Sequence, residues 1–225
     1  MIQNNVQQVL QTMQDAAEHS PYEQNVKLVA VTKNRTVDEM KQVYACGIRD
    51  FGENRVQELL EKYSHFDSSV TWHLIGTLQR NKVKYIIDKV ALIHSVDHLK
   101  LAQEIDRQAE KHALTAQILI QVNVAKEESK HGFEEEELTE VLTALSGMKH
   151  LSVRGMMMIA PNSEDVGYLD SLFEKTRNIF DNLVKTSKKY DNMSLDILSM
   201  GMTHDYQLAI KHGSNMVRIG RALFN

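Results

Sequence analysis

The chain has 225 residues, 42% of them hydrophobic and 25% charged, with a formal net charge of -4. That length and apolar content can build a sizeable core without disulfide staples, and the lone cysteine, Cys46, excludes an internal disulfide and points to a reducing compartment. The slightly acidic balance leaves no broad basic footprint for nucleic acid, no apolar run approaches the ~18 residues that span a bilayer, and MIQNNVQQVLQTMQDAAEHS lacks the basic start and apolar stretch of a secretory signal.

The expected setting is therefore cytoplasmic. Val6, Val9, Leu10, Met13 and Ala17 recur at helical spacing and predict an amphipathic helix within residues 1–20, packed on whatever follows. Pro21 discourages its continuation. Short apolar runs then alternate with longer helical patterns. The strand candidates are KLVAVT (27–32), IRDFG (48–52), TWHLIG (71–76), VALIHS (90–95), AQILIQVNV (116–124), LSVRGMMMI (151–159), LDILSM (195–200) and SNMVRIG (214–220). Helical patterns occupy 36–46, 54–64, 97–112, 135–146, 165–187 and 203–212, with Thr36 as an N-cap and Gly47 as a stop. The acidic run at 134–137 reads as the solvated start of a helix. Strands alternating with helices imply a parallel sheet, and near-continuous apolar strands fit burial on both faces. An open doubly wound sheet is possible, but a count of eight favours a closed (β/α)8 TIM barrel. No linker, low-complexity tract or repeat divides residues 1–225, so one barrel domain is expected.

Polar and small residues gather where these strands end: Lys33, GEN (52–54), GTLQRNK (76–82), HSVD (94–97), NVAKEESKHGF (123–133), MIAPNS (158–163), SMGMTHD (199–205) and RIGRA (218–222). Chemistry in such barrels sits at this rim, and phosphate sites form after the last two strands. SMGMT and RIGR both lead from a strand into a helix, and backbone N–H groups at helix starts bind anions. Their glycines would equally serve tight turns, but the pairing on strands 7 and 8 favours a phosphate. A phosphate opposite a lysine fits pyridoxal phosphate, whose aldehyde forms a Schiff base with an amine. Burial and a nearby cation, Arg218, would help Lys33 to spend time neutral. A lysine taken alone is a solvated surface charge by default, so the claim rests on its context.

LVAVTKN, DFGENRVQEL, WHLIGTLQRNK, SVD, VNVAKEESKHGF, RGMMMIAP and LSMGMTHDYQLAIKHGSNMVRIGRALF, in order from residue 27 to the C-terminus, resemble the pyridoxal phosphate homeostasis proteins. The resemblance implies a barrel like the N-terminal domain of alanine racemase, with the cofactor at the strand ends. It implies that Lys33 carries pyridoxal 5'-phosphate as a Schiff base and that Asn54 lies beside the cofactor. Ser199 and the turn amides at Gly220 and Arg221 would cradle the phosphate, with Gly201 and Thr203 as neighbours, and Arg218 would face the pyridine ring. Three positions depart from the family pattern: Thr32 stands where serine is frequent, Asn34 follows the lysine, and Arg221 replaces a threonine.

An arginine at the pyridine nitrogen is a donor that cannot take up its proton, so the cofactor would be a weaker electron sink. The chain ends at RALFN, without the second β domain that supplies a racemase with an acid–base group. The expectation is a non-catalytic binder and monomer that keeps pyridoxal phosphate in balance inside the cell and hands it to dependent apoenzymes. The alternative is an amino-acid racemase working as a barrel alone, with His94 or His204 as acid–base groups. A bare Schiff-base lysine enzyme is a further rival. No metal site is expected, because His94 and His98 straddle a strand end and share no helical face. Trp72 reads as barrel-to-helix packing, His73 as a core residue and Met156–Met158 as core filling.

Overall fold

Val29, Ala30, Phe51, Leu74, Ile118, Leu119, Val153, Met157 and Val217 are all sealed from solvent. Burying neighbours that point to opposite faces requires a parallel sheet covered on both sides. The computed structural model describes residues 1–126 and 131–225, so part of the loop expected at 123–133 lies outside the described residues. The strands are β1 (Lys27–Val31), β2 (Asp50–Glu53), β3 (Thr71–Leu74), β4 (Leu92–Val96), β5 (Ala116–Gln121), β6 (Leu151–Met157), β7 (Met193–Ser199) and β8 (Met216–Ile219). Each pairs in parallel with the next, and β8 returns to β1 through Lys27–Met216 and Ala30–Ile219, which closes the barrel. The expected (β/α)8 architecture is the observed one.

The outer layer is built from α2 (Val37–Ala45), α3 (Val56–Tyr63), α4 (Leu99–Lys111), α5 (Leu138–Ser146), α6 (Val166–Ser187), α7 (Tyr206–Lys211) and α8 (Arg221–Phe224). Between β3 and β4 the connection is a 3-10 helix, Arg80–Tyr85, because only Val83 in that basic segment is buried. Phe51 and Trp72 pack edge-on at 5.9 Å and both meet Phe66, in the packing role the sequence assigns to Trp72. Inside the barrel, Val29, Leu92, Leu119, Met157 and Met216 form a separate apolar plug. Met156 and Met158 belong instead to the outer core, as strand alternation demands.

The first helix, α1 (Ile2–Glu18), buries Ile2, Val6, Val9 and Met13 and packs on α7, α8 and α2. Leu10, expected on the buried face, is 39% exposed. Spacings of four, three and four residues already define a narrow seam, and Leu10 lies about 100° around the helix from Val9. Asn5 Nδ2 ties this helix to the C-terminal turn through the carbonyls of Leu223 (3.2 Å) and Asn225 (2.9 Å).

The helix that follows the Lys33 turn starts as predicted. The Thr36 hydroxyl accepts from the N–H of Glu39 at 3.3 Å, and the Glu39 carboxylate accepts from the N–H of Thr36 at 2.7 Å. Those reciprocal bonds form a capping box. Thr36→Ala is expected to lower unfolding free energy by about 1 kcal/mol, measured by urea titration; an unchanged midpoint would mean that the cap does not hold this helix start.

Candidate functional site

Lys33 occupies the turn directly after β1. Asn34 beside it has φ of +57°, a left-handed conformation that asparagine tolerates better than most side chains. Its N–H donates to Glu58 Oε2 at 2.9 Å. On the other side of Lys33, the Thr32 hydroxyl donates to Glu53 Oε1 at 2.6 Å and the Thr32 carbonyl accepts from Lys62 Nζ at 2.7 Å. Lys62 also bonds Glu53 Oε1 at 2.7 Å, in the interior. Burial pushes the Glu53 carboxyl above its usual range against the pull of Lys62 and Thr32, and Glu53 Oε2 has no hydrogen-bond partner among the described residues. Lys62 is thus a paired, buried lysine that holds the turn from below. Lys33 is exposed and meets no protein partner among the described residues.

Lys33 faces a cavity of about 350 Å³ whose far wall is Thr203, His204, Asp205, Arg218, Gly220 and Arg221. An adjoining cavity of about 340 Å³ shares Val31, Lys33, Ile159, Met202 and Arg218 and adds Asn54, Gly76 and Gln121. The shared residues make the two one basin over the barrel mouth. Grooves of about 660 and 670 Å³ lie elsewhere on the surface, and neither is lined by Lys33 or Arg218.

Arg218 ends in the barrel interior, donating from Nη1 to Ser199 Oγ at 2.7 Å and from Nη2 to the Met158 carbonyl at 2.9 Å. Burial lowers its guanidinium to about 10, opposed by the nearby Asp205 charge, so it stays cationic at neutral pH. Asp205, the residue before α7, accepts from the Met202 N–H at 2.6 Å and so fastens the loop that precedes the helix. Burial pushes its carboxyl up, against that bond and the Arg218 charge. The Thr203 hydroxyl has no protein partner among the described residues and opens onto the basin. At Arg221 the first turn of α8 begins, and the leading N–H groups of a helix have no intrahelical acceptor.

The basin therefore brings together Lys33, Asn54, Thr203, Arg218, Gly220 and Arg221. Ser199 and Gly201 line neither cavity. Ser199 is sealed in the barrel, with its hydroxyl between Arg218 and His94. Gly201 has φ of +96°, and a Cβ there would come within 2.7 Å of Ala209 Cβ; this glycine serves the tight entry into α7. Thr203, four residues beyond Ser199, carries the free hydroxyl instead. Of the two histidines considered as acid–base groups, His204 reaches the basin, whereas His94 is fully buried. Sequence reading missed Asp205 and the Glu53–Lys62 support. An acidic residue opening the helix after strand 7 was a usable signal for the first; nothing local marks Lys62 as buried.

The sequence profile of the alanine racemase N-terminal domain matches residues 2–225. A pyridoxal phosphate homeostasis protein of Aquifex aeolicus is 41% identical over 218 residues, covering 96% of this chain and 94% of the relative. A second protein of that name, from Haemophilus influenzae, is 35% identical over 227 residues, covering 99% of this chain and 94% of the relative. The structure of PipY of Synechococcus elongatus with pyridoxal phosphate bound superposes with a TM-score of 0.86 at 31% identity, over 100% of both chains. Alanine racemase from Corynebacterium glutamicum shares the fold, with a TM-score of 0.73 at 17% identity, over 99% of this chain and 59% of the racemase.

Replacing Lys62 by methionine removes the partner of a buried carboxylate. Lys62→Met is expected to destabilise the protein by about 3–5 kcal/mol near neutral pH. Because the Glu53 carboxyl is raised, it takes up a proton more readily in the folded chain, and the deficit should shrink as pH falls toward about 5. Denaturant curves across that range test this; a deficit independent of pH would show that Glu53 carries no charge for Lys62 to balance.

Proposed function

The chain belongs to the alanine racemase N-terminal domain family and, within it, to the pyridoxal phosphate homeostasis proteins, and on that premise we propose that it binds pyridoxal 5'-phosphate on Lys33 without turning it over. The observation that carries this reading is one basin in which an unpaired lysine faces a buried arginine and a helix-start turn. Bound there, pyridoxal phosphate supplies an aldehyde for an amine, a dianionic phosphate and a ring nitrogen.

The donor set fits each of those parts. Among the described residues Lys33 is the one lysine of the basin and has no carboxylate partner, so its amine is free for Schiff-base formation. The Thr203 hydroxyl, the leading amides of the Arg221 turn and the Arg221 charge form an anion-binding corner. The departure at Arg221 removes a hydroxyl and adds a charge, while Thr203 supplies a hydroxyl of its own. Arg218 presents its remaining N–H groups to the ring side. Since it stays cationic at neutral pH, it donates to the ring nitrogen and leaves that nitrogen unprotonated. Asn54, on the adjoining lobe, borders the ring edge.

A donor at the ring nitrogen favours binding over carbanion chemistry, which supports a reserve or carrier that keeps the free aldehyde low and releases it to dependent apoenzymes. We place that role in the cytoplasm with a monomer. No helix among the described residues is long and apolar enough to cross a membrane.

The purified protein mixed with pyridoxal phosphate is expected to show visible absorbance that borohydride abolishes, and Lys33→Ala should show none of it. A reducible band of equal strength in the variant would move the bond to another amine. Amino acids incubated with the loaded protein should keep their configuration; racemisation at enzymatic rates would instead favour the catalytic alternative.

A further inference from the structure

The barrel lumen holds a polar chain that neither Lys33 nor the phosphate corner uses. Asp50 Oδ1, at the base of β2, lies 3.0 Å from His73 Nε2 on β3. His73 Nδ1 lies 2.9 Å from His94 Nε2 on β4, and His94 Nδ1 lies 3.2 Å from Ser199 Oγ on β7. Ser199 Oγ accepts from Arg218 Nη1 on β8 at 2.7 Å. Strands β4 and β7 are not neighbours, so the His94–Ser199 contact crosses the lumen. His73, His94, Ser199 and Arg218 are at most 4% exposed. At the far end Asp50 meets Lys27, a half-exposed lysine, at 3.3 Å.

The carboxylate end sets the direction of the bonds that follow it, and the guanidinium fixes the last one. A guanidinium can only donate and an ionised carboxylate can only accept. Burial pushes Asp50 up, but the hydrogen bond from His73 and the charge of Lys27 outweigh it, so the carboxyl falls below its usual range. His73 therefore donates from Nε2. With a single proton on each ring, as a one-way chain requires, His73 presents a bare Nδ1, which takes the Nε2–H of His94. Burial, with the charge of Arg218, keeps His94 well below the usual imidazole range, so its Nδ1 is bare too. That nitrogen faces the one proton Ser199 owns, and the Ser199 oxygen is left with its lone pairs toward Arg218.

We propose that His73 and His94 are positioning residues for Arg218: a one-way hydrogen-bond chain anchored on Asp50 commits the Ser199 proton to the lumen and locks the guanidinium toward the basin. A reversed or rotating Ser199 hydroxyl would aim a proton at a guanidinium N–H, leaving both donors facing each other. The chain removes that option without placing a second charge beside Arg218. What the locked guanidinium then meets, a ring nitrogen, rests on the cofactor reading above.

The ligand-free protein tests the chain itself. Long-range proton–nitrogen NMR of labelled histidine at about pH 8, where free imidazole is neutral, should show both His73 and His94 as Nε2–H tautomers. An Nδ1–H tautomer on either ring would overturn the directed chain. The Arg218 side-chain N–H signals should be sharp and slowly exchanging in the native protein and in His94→Gln, whose amide offers one acceptor and one donor in the same order. They should broaden in His94→Leu and in Ser199→Ala; signals that stay as sharp in both variants would reduce the chain to core filling.

Ligand binding tests the consequence. His94→Leu should weaken pyridoxal phosphate on the order of tenfold, as expected for one misplaced hydrogen bond. It should leave unchanged the affinity for an analogue in which C–H replaces the ring nitrogen, and His94→Gln should restore the discrimination. An equal loss for both ligands would contradict positioning of Arg218. If the native protein bound neither ligand, the cofactor reading would fall, while the NMR arms would still decide the chain.

Discussion

Arg218 carries a full positive charge in the lumen of a barrel, and none of the described carboxylates forms an ion pair with it. Taking an unpaired charge out of water costs several kcal/mol even after relaxation. The protein offsets part of this with oriented dipoles, the Ser199 hydroxyl and the Met158 carbonyl, and part with the Asp205 carboxylate close by. The remaining debt is an electrostatic preference for an acceptor above the barrel. A binding site follows from that constraint more directly than from the shape of the cavity.

The same constraint explains why the lumen is split. Part of it is filled by Val29, Leu92, Leu119, Met157 and Met216, as close packing requires. A separate path of polar side chains climbs past that plug from Asp50 to Arg218. Polar groups buried in this way stabilise only when every member is satisfied, and here each ring nitrogen has a partner. On the opposite side of the mouth the logic differs. Lys62 and Glu53 are paired beneath the turn so that Lys33 above them can remain unpaired. One lysine is held so that the other is free.

Most of the architecture was legible because parallel barrel strands are apolar on both faces and helices cover them, which leaves a periodic record along the chain. Lys33 was legible for a related reason: a charge directly after KLVAVT marks where the strand leaves the core. Depth was not legible. Ser199 and Thr203 stand four residues apart on one strand-to-helix connection, and only the sharp turn at Gly201 decides which hydroxyl meets the basin. His94 shows the same ambiguity, since a strand ending in HSVD can present its histidine at the rim or inside. Leu10 failed through the width of a helical face, which a pattern of apolar residues overstates when only a narrow seam is covered. Lys62 was invisible because its partner Glu53 lies on another element, and burial of a lysine depends on that meeting.

On the proposed reading Arg218, which forms no direct ion pair among the described residues, meets the ring and the unpaired Lys33 meets the aldehyde, and the two have a joint consequence for what the site can hold. Each alone would bind any small anion weakly. Together with the proposed anion-binding corner at Thr203 and Arg221, they would suit a ligand with an electrophilic carbon, a neutral acceptor and a phosphate in a fixed triangle. A ligand that matches all three is held by polar contacts whose partners were already desolvated and oriented, so little ordering is needed on binding. A donor that keeps its own proton contributes to that affinity without drawing electrons from the ring. On the proposed reading, retention and weak activation arise from one residue, which suits a carrier of a reactive aldehyde.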